Sequence, residues 1–324
     1  MKSYAHQLTP YNLRLRYKPT PNASQHAEGV LNQFNSDGFR DREVSIEKPP
    51  NTQRIIFLGD SIVYGHTLEL RDTLPKRLEQ IYQRRGKSVE VLNFGVSGYD
   101  AEQEIEFLKE VGLKYEPDLV LVGYCLNDVV YSSFEMDWFH AKEHAVVRHP
   151  HFQSYRRVFF SLLYRHSKLM LLLNRRFRLE HRFKFLRSYE ETDLYRYVSR
   201  MNEMKRDPID SPYRQLKDKI IEEGKRLGTS ETGLQYVLST VGFRGNKDIG
   251  SPHWNVTKNA YQELKELGET HGFNVVVVIF PMIQELDKYP LEPLHEFLRS
   301  EFESLGLSTI DMMEWGKEVH ERYD

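Results

Sequence analysis

The chain has 324 residues, 40% of them hydrophobic and 28% charged, with a formal net charge of −2, which gives room for one large α/β domain or a domain with a sizeable insertion. The near-neutral balance excludes attraction of the whole protein to nucleic acid, and no stretch reaches the roughly 18 consecutive apolar residues of a membrane span. A single cysteine, Cys125, excludes an internal disulfide, and Met1 to Gln7 lacks the apolar run of a signal peptide, so the expectation is a soluble, cytoplasmic protein.

Residues 1–53 contain Pro10, Pro19, Pro21, Pro49 and Pro50, show no sustained period, and are expected to form an extended arm wrapped on the domain at 54–324. The domain opens with Arg54-Ile55-Ile56-Phe57-Leu58-Gly59-Asp60-Ser61. Four apolar residues in a row, too few for a helix and closed by Gly-Asp-Ser, predict a buried strand that stops abruptly. In an open α/β sheet, ligands are met at the carboxyl ends of strands. Ser61 would stand at such an end with its hydroxyl at the N-terminus of the next helix, a position that favours developing negative charge. Taken alone, Gly-Asp-Ser is more often a turn followed by a serine cap.

A helix is predicted over Leu74 to Arg85, a strand over Val89 to Asn93, a helix over Ala101 to Val111, and a strand over Leu119 to Val122. This βαβαβ order with apolar strands predicts a parallel sheet covered on both faces. The second strand runs into Asn93-Phe94-Gly95-Val96-Ser97-Gly98-Tyr99-Asp100, where two glycines let the backbone turn sharply and bring an amide N–H close to a bound group. Standing alone, it is simply a βα turn. The third strand closes with Gly123-Tyr124-Cys125-Leu126-Asn127-Asp128, and the Asn127 carboxamide can aim its N–H groups into the same crevice.

Residues 129–250 break the alternation and predict a polar, mostly helical insertion after the third strand. It then resumes with a helix over Val256 to Thr270, a strand over Val275 to Phe280, a helix near Leu291 to Leu305 and a short strand at Ser308 to Ile310. The fold class expected is α/β: a flavodoxin-like, doubly wound parallel sheet of about five strands in a three-layer α/β/α arrangement, interrupted by that insertion.

Three consecutive strands thus each end in a group that acyl transfer requires. Ser61 offers a hydroxyl, and the N–H groups of Ser61, Gly98 and the Asn127 side chain would make a three-donor oxyanion hole. Gly59-Asp60-Ser61, Asn93 to Gly98 and Gly123 to Asp128 resemble the first three sequence blocks of the SGNH hydrolases, the GDSL esterases and lipases, across roughly Arg54 to Val130. The pattern from Val256 to Ile310 resembles the family's second half. The resemblance implies Ser61 as nucleophile, Gly98 and Asn127 as oxyanion donors and Asp60 as the residue holding the turn. It implies a small acyl ester or O-acetylated carbohydrate as substrate, with no metal or organic cofactor.

One departure stands out. The family completes its triad with an Asp-x-x-His pair after the last strand, whereas this chain runs Ile310-Asp311-Met312-Met313-Glu314-Trp315 and reaches Asp324 without it. The expectation is a copy cut short before that pair, weak or inactive, since a serine hydroxyl without a base is a poor nucleophile near pH 7. The internal candidate for the base is His253, although Ser251 and Pro252 read as the cap and first turn of the following helix. His320 is expected to face solvent from the last helix.

Two further patterns compete. His140-Ala141-Lys142-Glu143-His144 fits the His-x-x-Glu-His pattern of some zinc peptidases, which would use metal-activated water; His149 and His151 follow closely, but no strong third ligand or glycine-framed metal turn is visible, and histidines in polar insertions usually just face solvent. The segment 148–187 carries a run of Arg and Lys interleaved with Phe and Leu. It reads as an amphipathic helix making peripheral contact with an anionic membrane or another polyanion, or more simply as a helix over the crevice with solvated charges. The non-enzymatic alternative is a binding protein that keeps the crevice without turnover. The sequence sets no oligomeric state.

Overall fold

The arm carries two short antiparallel pairs, β1 (His6–Leu8) with β2 (Tyr17–Pro19) and β3 (Ser24–Ala27) with β4 (Val30–Gln33). The computed structural model describes residues 6–8, 12, 14–15, 17–27, 29–65, 67–129, 211–243, 254–282 and 288–323. It divides the chain into two compact units, 1–133 with 207–324, and 134–206, the second of which lies outside the described residues.

The main sheet is built from β5 (Gln53–Gly59), β6 (Val89–Gly95), β7 (Leu119–Cys125), β8 (Asn274–Phe280) and β9 (Ser308–Asp311). All are parallel, in the order β6-β5-β7-β8-β9. In order of appearance within the sheet this is 2-1-3-4-5, the flavodoxin-like arrangement expected, with its crevice outside the carboxyl ends of the strands. The strands are apolar throughout because both faces are covered. Ile56, Leu58, Leu92, Phe94, Val120 and Val122 join one buried cluster, while Ile55, Phe57, Val91 and Leu121 join the other, the two-residue alternation of a pleated strand read out on opposite faces.

Helices α1 (Ser61–Tyr64), α2 (Leu74–Arg84) and α3 (Ala101–Phe107) link the first three strands. The predicted helix to Val111 instead widens after Phe107 into a π turn over Leu108–Gly112. That wider turn places Leu108, Val111 and Gly112 all on the buried side. The second half carries α4 (Pro212–Leu227), α5 (Glu231–Thr240), α6 (Trp254–His271), α7 (Glu292–Ser304) and α8 (Met313–Tyr323). The start of α4 is set by Ser211, whose hydroxyl accepts from Arg214 N–H, with Pro212 following; Ser230 caps α5 in the same way. Both helices lie within the span 129–250, and their Tyr213, Leu216, Ile220, Val237 and Leu238 pack into the core beside the sheet. Among the described residues, no helix is long and apolar enough to cross a membrane.

The end of the arm is stitched to the sheet. Phe39 stacks on Phe94 with ring centroids 4.5 Å apart. Asp41 accepts from the Asn93 N–H at 3.0 Å and pairs with Lys76 at 2.7 Å. Burial pushes the Asp41 carboxyl up, against the opposing pull of Lys76.

Candidate active site

The centre of the site is the junction of β5 and α1. Asp60 leaves the helical region of the backbone and caps α1, its carboxylate accepting the Ile62 N–H at 2.9 Å. The same oxygen accepts from Cys125 Sγ at 3.1 Å, and the Ser61 hydroxyl reaches the other at 3.4 Å. Asp60 is buried and Ser61 half-buried. The helix behind Ser61 has only four residues. Helix dipoles come from aligned peptides in successive turns, so one turn gives the hydroxyl little of the electrostatic help expected from sequence, and stabilisation of negative charge has to come from individual N–H groups.

That single turn lies on a bed of glycines. Gly59 pairs with Gly95 on one side and Gly123 on the other, so the three stand in one row across the sheet. A Cβ on Gly95 would lie 2.6 Å from the Val63 carbonyl carbon and 2.8 Å from Tyr64 Cα, and one on Gly123 would lie 2.7 Å from Val63 Cγ2. Only glycine lets α1 approach this closely.

The same row places the other two groups. Past Gly95, the Val96 N–H bonds back to the Gly59 carbonyl at 2.9 Å and the Tyr99 N–H to Val96 O at 3.1 Å. This forms a tight turn with Gly98 at φ +84°. Asp100 then caps α3 reciprocally with Gln103. Past Gly123, Asp128 folds the turn back on itself, donating its N–H to Cys125 O and accepting the Cys125 N–H at 2.7 Å. Asp128 is thereby buried, and Asn127 is left exposed at the edge. Ser61, Gly98 and Asn127 therefore follow the carboxyl ends of β5 and its two neighbours, β6 and β7, two, three and four residues beyond glycines in mutual register.

Beside the Asp60–Ser61 turn is a set of acids, one of which, Glu104, the sequence did not single out. Glu104 is buried and, among the described residues, neither of its carboxyl oxygens has a hydrogen-bond partner; the Tyr124 and Tyr261 hydroxyls and one Asp128 oxygen are likewise unpaired there. Burial, reinforced by the charges of Asp60 and Asp100, raises the Glu104 carboxyl well above the usual range. Burial and Glu104 do the same to Asp128. Burial also pushes up the Cys125 thiol. Among the described residues, Asp60, Cys125 and Asp128 form the group whose potential metal-ligating atoms lie within 4.8 Å of one another. Each is already engaged in the hydrogen bonds that shape the two turns.

A second buried set sits at the far end of the same sheet edge. His295, on α7, holds Asp311 at the end of β9 through Nδ1 at 2.8 Å and the Tyr289 hydroxyl through Nε2 at 2.8 Å. Tyr289 in turn accepts the Met282 N–H at 3.1 Å. Burial works against ionisation of Asp311, but the His295 hydrogen bond and charge, the Met313 N–H and Arg299 outweigh it and hold the carboxyl below its usual range. Both nitrogens of His295 are occupied, and β7 and β8 stand between β9 and β5. It is the one buried histidine among the described residues. No local pattern links His295, Asp311 and Tyr289 in the sequence; they meet because α7 and β9 are neighbours in space.

His140, Glu143, His144, the basic segment 148–187 and His253 lie outside the described residues.

The GDSL-like lipase/acylhydrolase family model matches residues 57–278. No curated protein matches the chain. Among solved structures, AlinE4, an SGNH-hydrolase family esterase, aligns at 27% identity and TM-score 0.21 over 23% of this chain and 41% of its own length, so this chain spans less than half of it. A catalytic mutant of Axe2, an acetylxylan esterase from Geobacillus stearothermophilus, aligns at 10% identity and TM-score 0.39 over 84% of this chain and 81% of that one. The acetyl xylan esterase AlAXEase aligns at 10% identity and TM-score 0.37 over 83% and 82%.

Proposed function

The chain belongs to the GDSL-like lipase/acylhydrolase family, and we propose that it hydrolyses ester bonds through an acyl ester formed on Ser61. Ser61 Oγ attacks the substrate carbonyl carbon, and the carbonyl oxygen takes up negative charge. The Ser61 and Gly98 backbone N–H groups and the Asn127 carboxamide donate to that oxygen. Collapse of the tetrahedral species expels the alcohol and leaves the acyl group on Ser61, from which water or a second alcohol removes it. The attack needs an acceptor for the hydroxyl proton, and His253 is the candidate the sequence offers for it.

The observation that carries this reading is the common register of Gly59, Gly95 and Gly123, which sets the hydroxyl, the main-chain amide and the carboxamide at one edge of three adjacent strands. Asp60 and Asp128 support it by holding two of the three turns from within. The substrate proposed is a small acyl ester, with O-acetylated carbohydrate as the class the sequence resemblance implies. Ser61→Ala should abolish hydrolysis of p-nitrophenyl acetate, and retained turnover would remove Ser61 from the role. Asn127→Ala should lower kcat by about 10² to 10³ with little change in KM, the usual cost of one oxyanion donor. An unchanged kcat would make Asn127 a structural residue.

A further inference from the structure

We propose that Arg40, on the N-terminal arm, is a positioning residue for the nucleophile: it fixes the one-turn helix that presents Ser61 by binding that helix's carbonyl end. The effect on rate rests on the Ser61 reading above; the effect on the helix does not.

A helix of four residues cannot hold itself. Nucleation is costly, and isolated helices under about 12 residues are marginal in water. Besides its cap, α1 needs partners for the carbonyls at its C-terminal end, which have no intrahelical donors. Arg40 supplies them. One guanidinium nitrogen donates to the carbonyls of Tyr64 and Gly65, both at 2.6 Å, and the other to the carbonyl of Leu68 at 2.5 Å. The guanidinium also lies over the Tyr64 ring, 5.0 Å from its centroid.

The position is expensive and therefore informative. Arg40 is 1% exposed, and among the described residues its guanidinium donates to carbonyl oxygens rather than to a carboxylate. Among the described residues its charge is met by carbonyl dipoles, Tyr64 and the more distant Glu69, and burial draws its pKa down. A cation is favoured at the carbonyl end of a helix, and a planar fork of donors spans three acceptors where a single ammonium cannot. The flanking residues hold Arg40 rigid: Phe39 stacks on Phe94, and Asp41 is bonded to the Asn93 N–H and to Lys76. The glycine row therefore supports α1 from the sheet side, and Arg40 clamps its carbonyl end from the arm.

The test compares Arg40→Ala, Arg40→Lys and Ser61→Ala in the full chain. In Arg40→Ala, kcat for p-nitrophenyl acetate should fall about 10²-fold at nearly constant KM, the cost of a reacting group displaced by about 1 Å. Guanidinium at a non-denaturing concentration should restore part of that kcat and restore nothing in Ser61→Ala. Arg40→Lys keeps the charge and the stem, so it folds even if the alanine variant does not. In Arg40→Lys the amides of Tyr64, Gly65 and Leu68, whose protons are held by the Asp60, Ser61 and Gly65 carbonyls, should exchange about tenfold faster because α1 opens more often once its carbonyl end is no longer clamped, while those of β5 keep their protection. Wild-type exchange at those three amides overturns the proposal, as does a kcat within about threefold of wild type in Arg40→Ala. Turnover surviving in Ser61→Ala would instead sink the nucleophile reading, and amide exchange would still judge Arg40.

Discussion

Replacing Gly95 by alanine tests whether the glycine row sets the position of the nucleophile. The new methyl carbon would stand 2.6 Å from the Val63 carbonyl carbon, 2.8 Å from Tyr64 Cα and closer still to Tyr64 N, all backbone atoms of α1, whereas ordinary contact begins near 3.4 Å. No rotamer change relieves a clash with backbone, so α1 or β6 must give by about 1 Å. β6 is locked in register to β5 over seven residue pairs, whereas α1 is a single turn, so the helix moves and carries Ser61 with it. Overpacking of this kind costs about 1–3 kcal/mol of stability, and a displacement of about 1 Å at a reacting group costs about 10² in rate. Thermal melts and the hydrolysis of p-nitrophenyl acetate measure the two effects separately. Gly95→Ala should fold with a lowered Tm and lose most of its kcat while KM stays near wild type. A variant that keeps wild-type kcat and Tm would refute the reasoning, since it would mean that α1 does not rest on Gly95.

Glu104→Gln should stabilise the protein at neutral and alkaline pH. The folded-state pKa of Glu104 is raised above its unfolded value, so its contribution to stability is fully present below the unfolded pKa and is lost as pH rises through the folded one. Melts from pH 4 to 9 should show the variant's advantage growing with pH; an advantage that shrank with pH would contradict a neutral buried acid. Asp311 carries the opposite sign, because its lowered pKa gives stability that is present above the unfolded value and lost as pH falls through the folded value. His295→Ala should therefore lower stability most at neutral pH and flatten the acid limb of the pH–stability curve; an unchanged acid limb would mean that the His295–Asp311 bond does not persist in solution. The Cys125 thiol is 3% exposed and is held protonated by burial and the neighbouring carboxylates, so it should resist a disulfide thiol reagent in the native state and react with one equivalent on unfolding. Rapid native labelling would show that the turn at Leu126 to Val129 opens.

The sequence by itself determined the sheet and the turns that close its strands. Apolar runs such as Ile55 to Leu58 and Val275 to Phe280 announce buried strands because their period and length are local properties, and the Gly-rich endings at Asp60, Gly98 and Asn127 are legible because turn chemistry is local too. The family resemblance joined those endings into one site. What the sequence did not reveal is every relation between residues that share no local pattern. The register that aligns Gly59, Gly95 and Gly123 exists only once three strands are paired. Arg40 lies in an arm without a sustained period, where nothing local marks it out, yet it becomes a buried clamp because the arm returns to α1. Glu104 lies on α3, which Asp100 caps, and is buried there without a pattern in the sequence that marks it. His295 finds Asp311 sixteen residues later only because α7 packs beside β9. Propensity and period act within a few residues of chain, whereas charge, burial and hydrogen bonding are settled by whatever the completed fold brings within about 3 Å, and that is why the strands could be read in advance and the side-chain partnerships could not.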